Sequence, residues 1–348
     1  MPLSTHRRIP AVALVALAGF AMPGSPVAWA QTVSMAGQRI VLVVGSPAGG
    51  GYDVYGRLVG RHLGAMLPGN PNVVVENMPG AGSLIAANWL AHSAPKDGTA
   101  IAILPNATLF EPLFGNTNAH FDLRMMNWLG SLNSQTPIAA VWSPSPFQTA
   151  GDLFNQDVVI GASGAASDEA RLPRLLNSLI QTKFRVVDGY PGTAGIALAM
   201  ERGEVQGIVG DGLDSIKATN GSWLRDRKIR ILMQVTASRD SELPDVPAAL
   251  EFVSPDNHDV LEFLISRFTF GRLFMAPPGA PAPIVAALQQ GFRKMVDDKE
   301  FRRDVERSNI TIKFAGAEEV ATTQNRLVAS PPQVIERATE ELRKTDPR

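Results

Sequence analysis

Four glycine-rich segments fall where the chain turns from a short β-branched run into a helical pattern. They are Ser46-Pro47-Ala48-Gly49-Gly50-Gly51-Tyr52-Asp53, Met78-Pro79-Gly80-Ala81-Gly82-Ser83, Gly161-Ala162-Ser163-Gly164-Ala165-Ala166-Ser167-Asp168 and Gly189-Tyr190-Pro191-Gly192-Thr193. Glycine permits positive φ and lets a ligand approach the backbone closely. Each segment ends where a helix starts, so unpaired N–H groups and the positive end of the helix dipole meet there. In a parallel sheet such loops gather at the carboxyl ends of the strands, where α/β folds hold ligands. A tight turn alone would explain any one loop, but explains all four poorly. Two lobes, each offering two loops across a cleft, make a cage of backbone donors for a small organic anion. No Lys or Arg lies in these segments, so no single basic side chain is expected to be essential. The candidate ligand-binding residues are Ser46, Ala48, Gly49, Gly50, Tyr52 and Asp53 in the first loop and Gly80, Ala81, Gly82 and Ser83 in the second. Ser163, Gly164, Ala165 and Ser167 come from the third, Tyr190, Pro191 and Gly192 from the fourth, and Asp211 completes the set. Asp53 also has the position of an N-cap or first-turn residue.

Other chemistries fail on detail. A nucleotide-binding P-loop needs Lys and Ser/Thr after its last glycine, and Gly51 is followed by Tyr52-Asp53. Gly80-Ala81-Gly82 begins a dinucleotide fingerprint, but its sixth position is Ile85 and no acid follows at ribose distance. Gly161-Ala162-Ser163-Gly164-Ala165 is a poor nucleophile elbow, ending in Ala165 with no triad in order. His62, His92, His120 and His258 share no metal-ligand spacing, and His62 reads as a surface or internally satisfied residue. Trp89, Trp128, Trp142 and Trp223 read as core or hinge packing. With no cysteine at all, thiolate zinc sites, cysteine nucleophiles and disulfides are excluded. No metal, cofactor or enzymatic activity is expected. Two rival readings stay open: a hydrolase of carboxylates or esters using Ser163, and a ligand-loaded sensor for a signalling partner.

The elements that must position these loops alternate. Strands are predicted at 39–44, 72–76 and 99–104, with helices near 53–67 and 83–93 between them. The pattern restarts with strands at 138–142, 157–161, 184–187, 205–209 and 229–235, and helices near 168–182 and 193–201. Strand–loop–helix repeats predict parallel pairing with right-handed crossovers, and continuous apolar strands predict helices on both faces. The expected architecture is α/β and two-lobed, each lobe a mainly parallel sheet flanked by helices. Lobe 1 is residues 31–139 plus 273–348 and lobe 2 residues 140–272, with hinge crossings near 138–142 and 269–276.

The first 30 residues set the expected compartment. Arg7-Arg8, an apolar run from Ala11 to Ala21, a break at Pro23-Gly24 and the end Ala28-Trp29-Ala30 describe a cleaved secretory signal. An apolar run this short falls below the roughly 20 residues of a membrane-spanning helix. A soluble periplasmic protein starting at Gln31 is therefore expected. Removing 30 of the 348 residues leaves 318, enough for two medium domains. The leader carries two cations and no acid, so 30 basic residues then face 33 acidic ones. That balance offers phosphates no basic stripe, and no nucleic acid partner is expected.

At these loops the sequence resembles the receptor components of tripartite tricarboxylate transporters, the Bug-type periplasmic binding proteins. Pro47-Ala48-Gly49-Gly50-Gly51-Tyr52-Asp53 with Arg57 one turn on, and Glu76-Asn77-Met78-Pro79-Gly80-Ala81-Gly82, carry the resemblance most specifically. Ala94-Pro95-Lys96-Asp97-Gly98-Thr99 looks like the family's A-P-D-G-x-T turn with Lys96 inserted. Tyr190-Pro191-Gly192 and Leu243-Pro244-Asp245-Val246-Pro247 resemble two further family turns. Ser83 stands where the family usually has glycine, and 252–270 is longer and more aromatic than its pattern. The resemblance implies a Venus-flytrap fold of type II. It implies mono-, di- or tricarboxylate ligands, aromatic acids included, held by backbone groups and bridging waters. It also implies delivery to membrane permease subunits, and a monomer is expected.

Overall fold

The computed structural model describes residues 1, 33–165 and 167–345. The expected leader beyond Met1, with its cleavage site, lies outside them, as does Ala166 of the third loop.

β1 (Arg39–Val44) is apolar because it is covered on both sides. Its alternate residues go to opposite faces: Ile40, Leu42 and Val44 join Tyr55, Leu58 and Leu63 of α1 (Gly51–Met66), while Val43 joins Leu84, Ala87 and Leu90 of α2 (Leu84–His92). These α1 side chains recur at helical spacing and are fully buried. Each contributes about 1.5–3 kcal/mol by leaving water, and Leu58→Ala would cost about 2–5 kcal/mol. β2 (Asn72–Asn77) and β3 (Ala100–Leu104) pair with β1 in parallel, from Arg39 opposite Asn72 and Val41 opposite Ala100. The short helix α3 (Asn106–Leu109) follows β3. β4 (Asn127–Ser131), which sequence patterning missed because Gly130 interrupts a short run, closes this part of the chain.

The second sheet is built from β5 (Pro137–Trp142), β6 (Val158–Ala162), β7 (Phe184–Asp188), β8 (Gly207–Gly212) and β9 (Ile229–Gln234). Between them lie α4 (Asp152–Asn155), α5 (Asp168–Ile180), α6 (Gly192–Glu201) and α7 (Leu213–Arg225). The strand order is β7-β6-β8-β5-β9, parallel across β7-β6-β8 and antiparallel where β5 enters. After α8 (His258–Ser266) the chain returns as β10 (Leu273–Ala276), antiparallel between β3 and β4 in the first sheet. α9 (Ala282–Asp297), α10 (Lys299–Arg307), β11 (Ala315–Gly316) and α11 (Ala317–Val328) complete that side, in the order β11-β4-β10-β3-β1-β2. Two mixed sheets flanked by helices make the two lobes.

The chain passes between the sheets at 132–136 and 267–272, and the two passages run side by side. Gln135 N–H donates to Phe268 O at 3.0 Å, Gly271 N–H to Asn133 O at 2.7 Å and Leu132 N–H to Arg272 O at 3.1 Å. Residues 138–142, expected as a hinge, instead form the strand between β8 and β9. α12 (Pro332–Thr345) packs on α5 and α8, with Ala338 and Leu342 in the same apolar cluster as Leu172, Leu175 and Leu176. The last helix therefore belongs with the second sheet, and 273–348 is not all first-lobe. Among the described residues no helix is long and apolar enough to cross a membrane.

Candidate functional site

All four glycine-rich loops open onto one cleft of about 250 Å³ between the lobes. Helices α1, α2, α5 and α6 begin at or beside its wall. The first-turn N–H groups of each helix have no intrahelical acceptor, so the cleft collects four positive helix ends. Fourteen of the eighteen candidates line it: Ser46, Ala48, Gly50, Tyr52, Gly80, Ala81, Gly82, Ser83, Ser163, Ser167, Tyr190, Pro191, Gly192 and Asp211. Gly49, Asp53, Gly164 and Ala165 do not.

The reason Asp53 stays out is that it braces the first loop. Its carboxylate accepts Gly49 N–H at 2.9 Å, Arg57 Nε at 3.0 Å and Asn77 Nδ2 at 2.9 Å, and Asn77 Nδ2 also donates to Ser46 O at 2.9 Å. Burial pushes this carboxyl up, but the bonds from Arg57, Gly49 and Asn77 outweigh it and hold it below the usual carboxylate range. The N-cap is Gly50, not Asp53, and the Gly49 donor expected for a ligand is already used.

The second loop is strained. Gly80, Ala81, Gly82 and Ser83 all have positive φ, at 130°, 48°, 62° and 73°. For Ala81 and Ser83 this costs on the order of 1–3 kcal/mol each. Ser83 Oγ donating to Gly45 O and Thr108 Oγ1 donating to Gly82 O, both at 2.6 Å, hold the arrangement. Across the mouth the two sides come close. Gly192 has φ 74°, and a Cβ there would sit 3.2 Å from the Pro47 ring; one on Gly50 would sit 2.9 Å from Thr193 Oγ1.

Of the acidic and basic side chains that line the cleft, sequence reasoning named Asp211 and missed Arg272, Asp168 and Glu169. Arg272, 1% exposed, lines it and donates through Nη2 and Nε to Asp214 Oδ2 at 2.6 and 3.0 Å. Its guanidinium also lies 4.3 Å from the Tyr52 ring centroid and 4.9 Å from that of Tyr55. Asn133 Nδ2 joins Asp214 at 2.7 Å, and Asn133 Oδ1 accepts Arg272 N–H at 3.0 Å. Sequence reasoning expected no single basic side chain to be essential; the structure places one buried guanidinium, Arg272, in the wall of the cleft. Asp168 and Glu169 of α5 line the cleft too, Asp168 paired with buried Arg267 at 2.6 Å. Burial pushes the Asp168 carboxyl up to about 6, with Arg267 opposing. Burial pushes Asp211 up to about 7, opposed by a bond from Ser215 and reinforced by Glu169. The available signal was Arg267 and Arg272 inside the otherwise uncharged and largely apolar stretch Phe263–Ala276, since charge in such a run must be paired.

Among the described residues, one group of side chains is close enough to share an ion, His258, Asp259 and Glu262. All three are exposed, and none lines the cleft. His62 is held by Asp304 at 2.9 Å, and Trp128 and Trp223 are buried.

The family model of the tripartite tricarboxylate transporter receptors matches residues 66–337. The chain belongs to that family. A UPF0065 protein of Bordetella bronchiseptica is 27% identical to this receptor over 78% of the chain and 77% of the relative. The periplasmic binding protein BugD superposes with TM-score 0.68 at 19% identity, covering 88% of this receptor and 98% of BugD. Rhodopseudomonas palustris MatC, solved with bound malate, gives TM-score 0.66 at 22% identity, covering 87% and 99%. These likenesses show that the receptor shares the two-lobed binding-protein fold.

Proposed function

We propose that the protein is exported to the periplasm, captures a small organic carboxylate between its lobes and hands it unchanged to membrane permease subunits. The observation that carries this is the single cleft onto which four helix starts and Arg272 converge. Backbone donors at helix N-termini favour anions, and a cleft of about 250 Å³ suits a molecule of a few carbon atoms. MatC's bound malate supports a carboxylate. Against the hydrolase reading, Ser163 Oγ donates to Glu169 Oε2 at 3.0 Å and, among the described residues, no histidine lines the cleft to act as the base of a serine triad. The proposed lobes are 33–131 with 273–328, and 137–266 with 332–345. The passages at 132–136, 267–272 and 329–331 would be the hinge.

The test is a thermal-shift screen of the protein beginning at Gln31 against mono-, di- and tricarboxylates and aromatic acids. At least one acid should raise the melting temperature and be recovered chemically unchanged. Turnover of that acid, or no shift with any of them, would sink the proposal.

A further inference from the structure

The charges of the cleft do not balance for a simple acid. Among the described residues, four side chains of the Asp, Glu and Arg types line it: Asp168, Glu169, Asp211 and Arg272. Both nearby guanidiniums are already matched, Arg267 by Asp168 and Arg272 by Asp214, each at 2.6 Å. Glu169 and Asp211 take only hydroxyl partners, Ser163 and Ser215, and neither is in an ion pair among the described residues. A further acceptor points the same way. Gln135 lines the cleft, is 6% exposed, and its side-chain oxygen has no hydrogen-bond partner. A buried acceptor without a donor is costly and calls for a donor from the ligand.

These acceptors lie on the second lobe or the passage leading to it: Glu169 in the first turn of α5, Asp211 in β8, Gln135 between β4 and β5. The strained second loop and the start of α1 face them from the first lobe with backbone donors. A dicarboxylate would set its second negative charge against Glu169 and Asp211. We infer that the ligand is an amine-bearing carboxylate, its carboxylate toward the first-lobe loops and its ammonium against Glu169, Asp211 and the Gln135 carbonyl. This rests on the receptor reading above and narrows its ligand class. The opposite assignment would have a protonated Asp211 donate to a ligand carboxylate. The two differ in pH dependence. The groups that act on Asp211 are Glu169 of α5, Asp214 and Ser215 of α7 and Arg272. An aliphatic ammonium stays charged to about pH 10, so ionising Asp211 should strengthen its binding.

The experiment is calorimetric titration with matched pairs: glutarate and glutamate, succinate and aspartate, butyrate and 4-aminobutyrate. In at least one pair the amine member should bind at least tenfold tighter than its partner, more so at pH 8 than at pH 5.5. Asp211→Asn should cut that preference to threefold or less while the melt stays cooperative. Glu169→Gln, on the more exposed side chain, carries the same test if Asp211→Asn does not fold. Equal or tighter binding of the amine-free members, or a preference unchanged in the variants, overturns the inference and leaves the receptor reading standing. No binding by either member of any pair, nor by any acid of the thermal-shift screen, overturns both.

Discussion

Replacing Arg272 tests whether the junction between the lobes is held as described. The guanidinium is 1% exposed and donates twice to Asp214 Oδ2, which also accepts Asn133 Nδ2. Arg272→Met removes the charge but keeps much of the apolar stem between Tyr52 and Tyr55. Asp214, 7% exposed, is then a buried carboxylate with only Asn133 and its own surroundings to stabilise it. Breaking one side of a buried pair costs about 3–5 kcal/mol, and loss of the contacts with the two tyrosine rings adds about 0.5–2 kcal/mol. Replacing both partners with apolar groups is often neutral. Arg272→Met should therefore lower the unfolding free energy in urea by about 3.5–7 kcal/mol, and Arg272→Met/Asp214→Leu should recover most of that. The single variant should also bind its carboxylate at least tenfold more weakly, because the cleft loses the one guanidinium that lines it among the described residues. A loss below about 1 kcal/mol, or a double variant no more stable than the single, would refute the buried-pair argument.

Three further outcomes are expected. Gly82→Val forces a β-branched side chain to φ 62° in the second loop and should abolish binding with a cooperative melt retained, whereas Gly164→Val, whose Cβ would meet nothing within 4 Å, should bind normally; titration of both variants decides. Asp211 has a folded pKa of about 7, above the ordinary 3.8, so its protonated form favours the fold and that contribution is lost as pH rises from about 4 to about 7. Asp211→Asn should match the wild type near pH 4 and exceed it by on the order of a few kcal/mol at pH 8, which urea melts at the two pH values will show. Protein recovered from the periplasm should begin at Gln31; an intact mass retaining residues 1–30 would remove the export claim.

The sequence made the backbone of the site legible because its signals are local. β1 at 39–44 and the loops ending at Gly51, Leu84, Asp168 and Gly192 follow from runs and glycines a few residues apart. The buried charges were not legible as partners, because Arg272 meets Asp214 across 58 positions and Arg267 meets Asp168 across 99. Only their presence in an apolar stretch was visible. Asp53 was visible as a first-turn acid, but its use as a brace depends on Asn77, 24 residues away. α12 was misplaced because an amphipathic helix does not state which lobe its apolar face covers. Here α12 packs on α5 and α8.

Capture between lobes is most directly tested by small-angle scattering of the ligand-free protein and of the protein saturated with the acid that shifts its melt most. In the structure Pro47 approaches Gly192, and Thr193 approaches Gly50, across the mouth of the cleft, so the ligand would be held from both sides in this closed form. A ligand shifts a conformational balance only through such unequal contact. The account predicts a smaller radius of gyration on saturation, with a ligand-free curve more extended than this closed geometry. A ligand-free curve already more extended than the closed geometry, and unchanged at saturation, would contradict it.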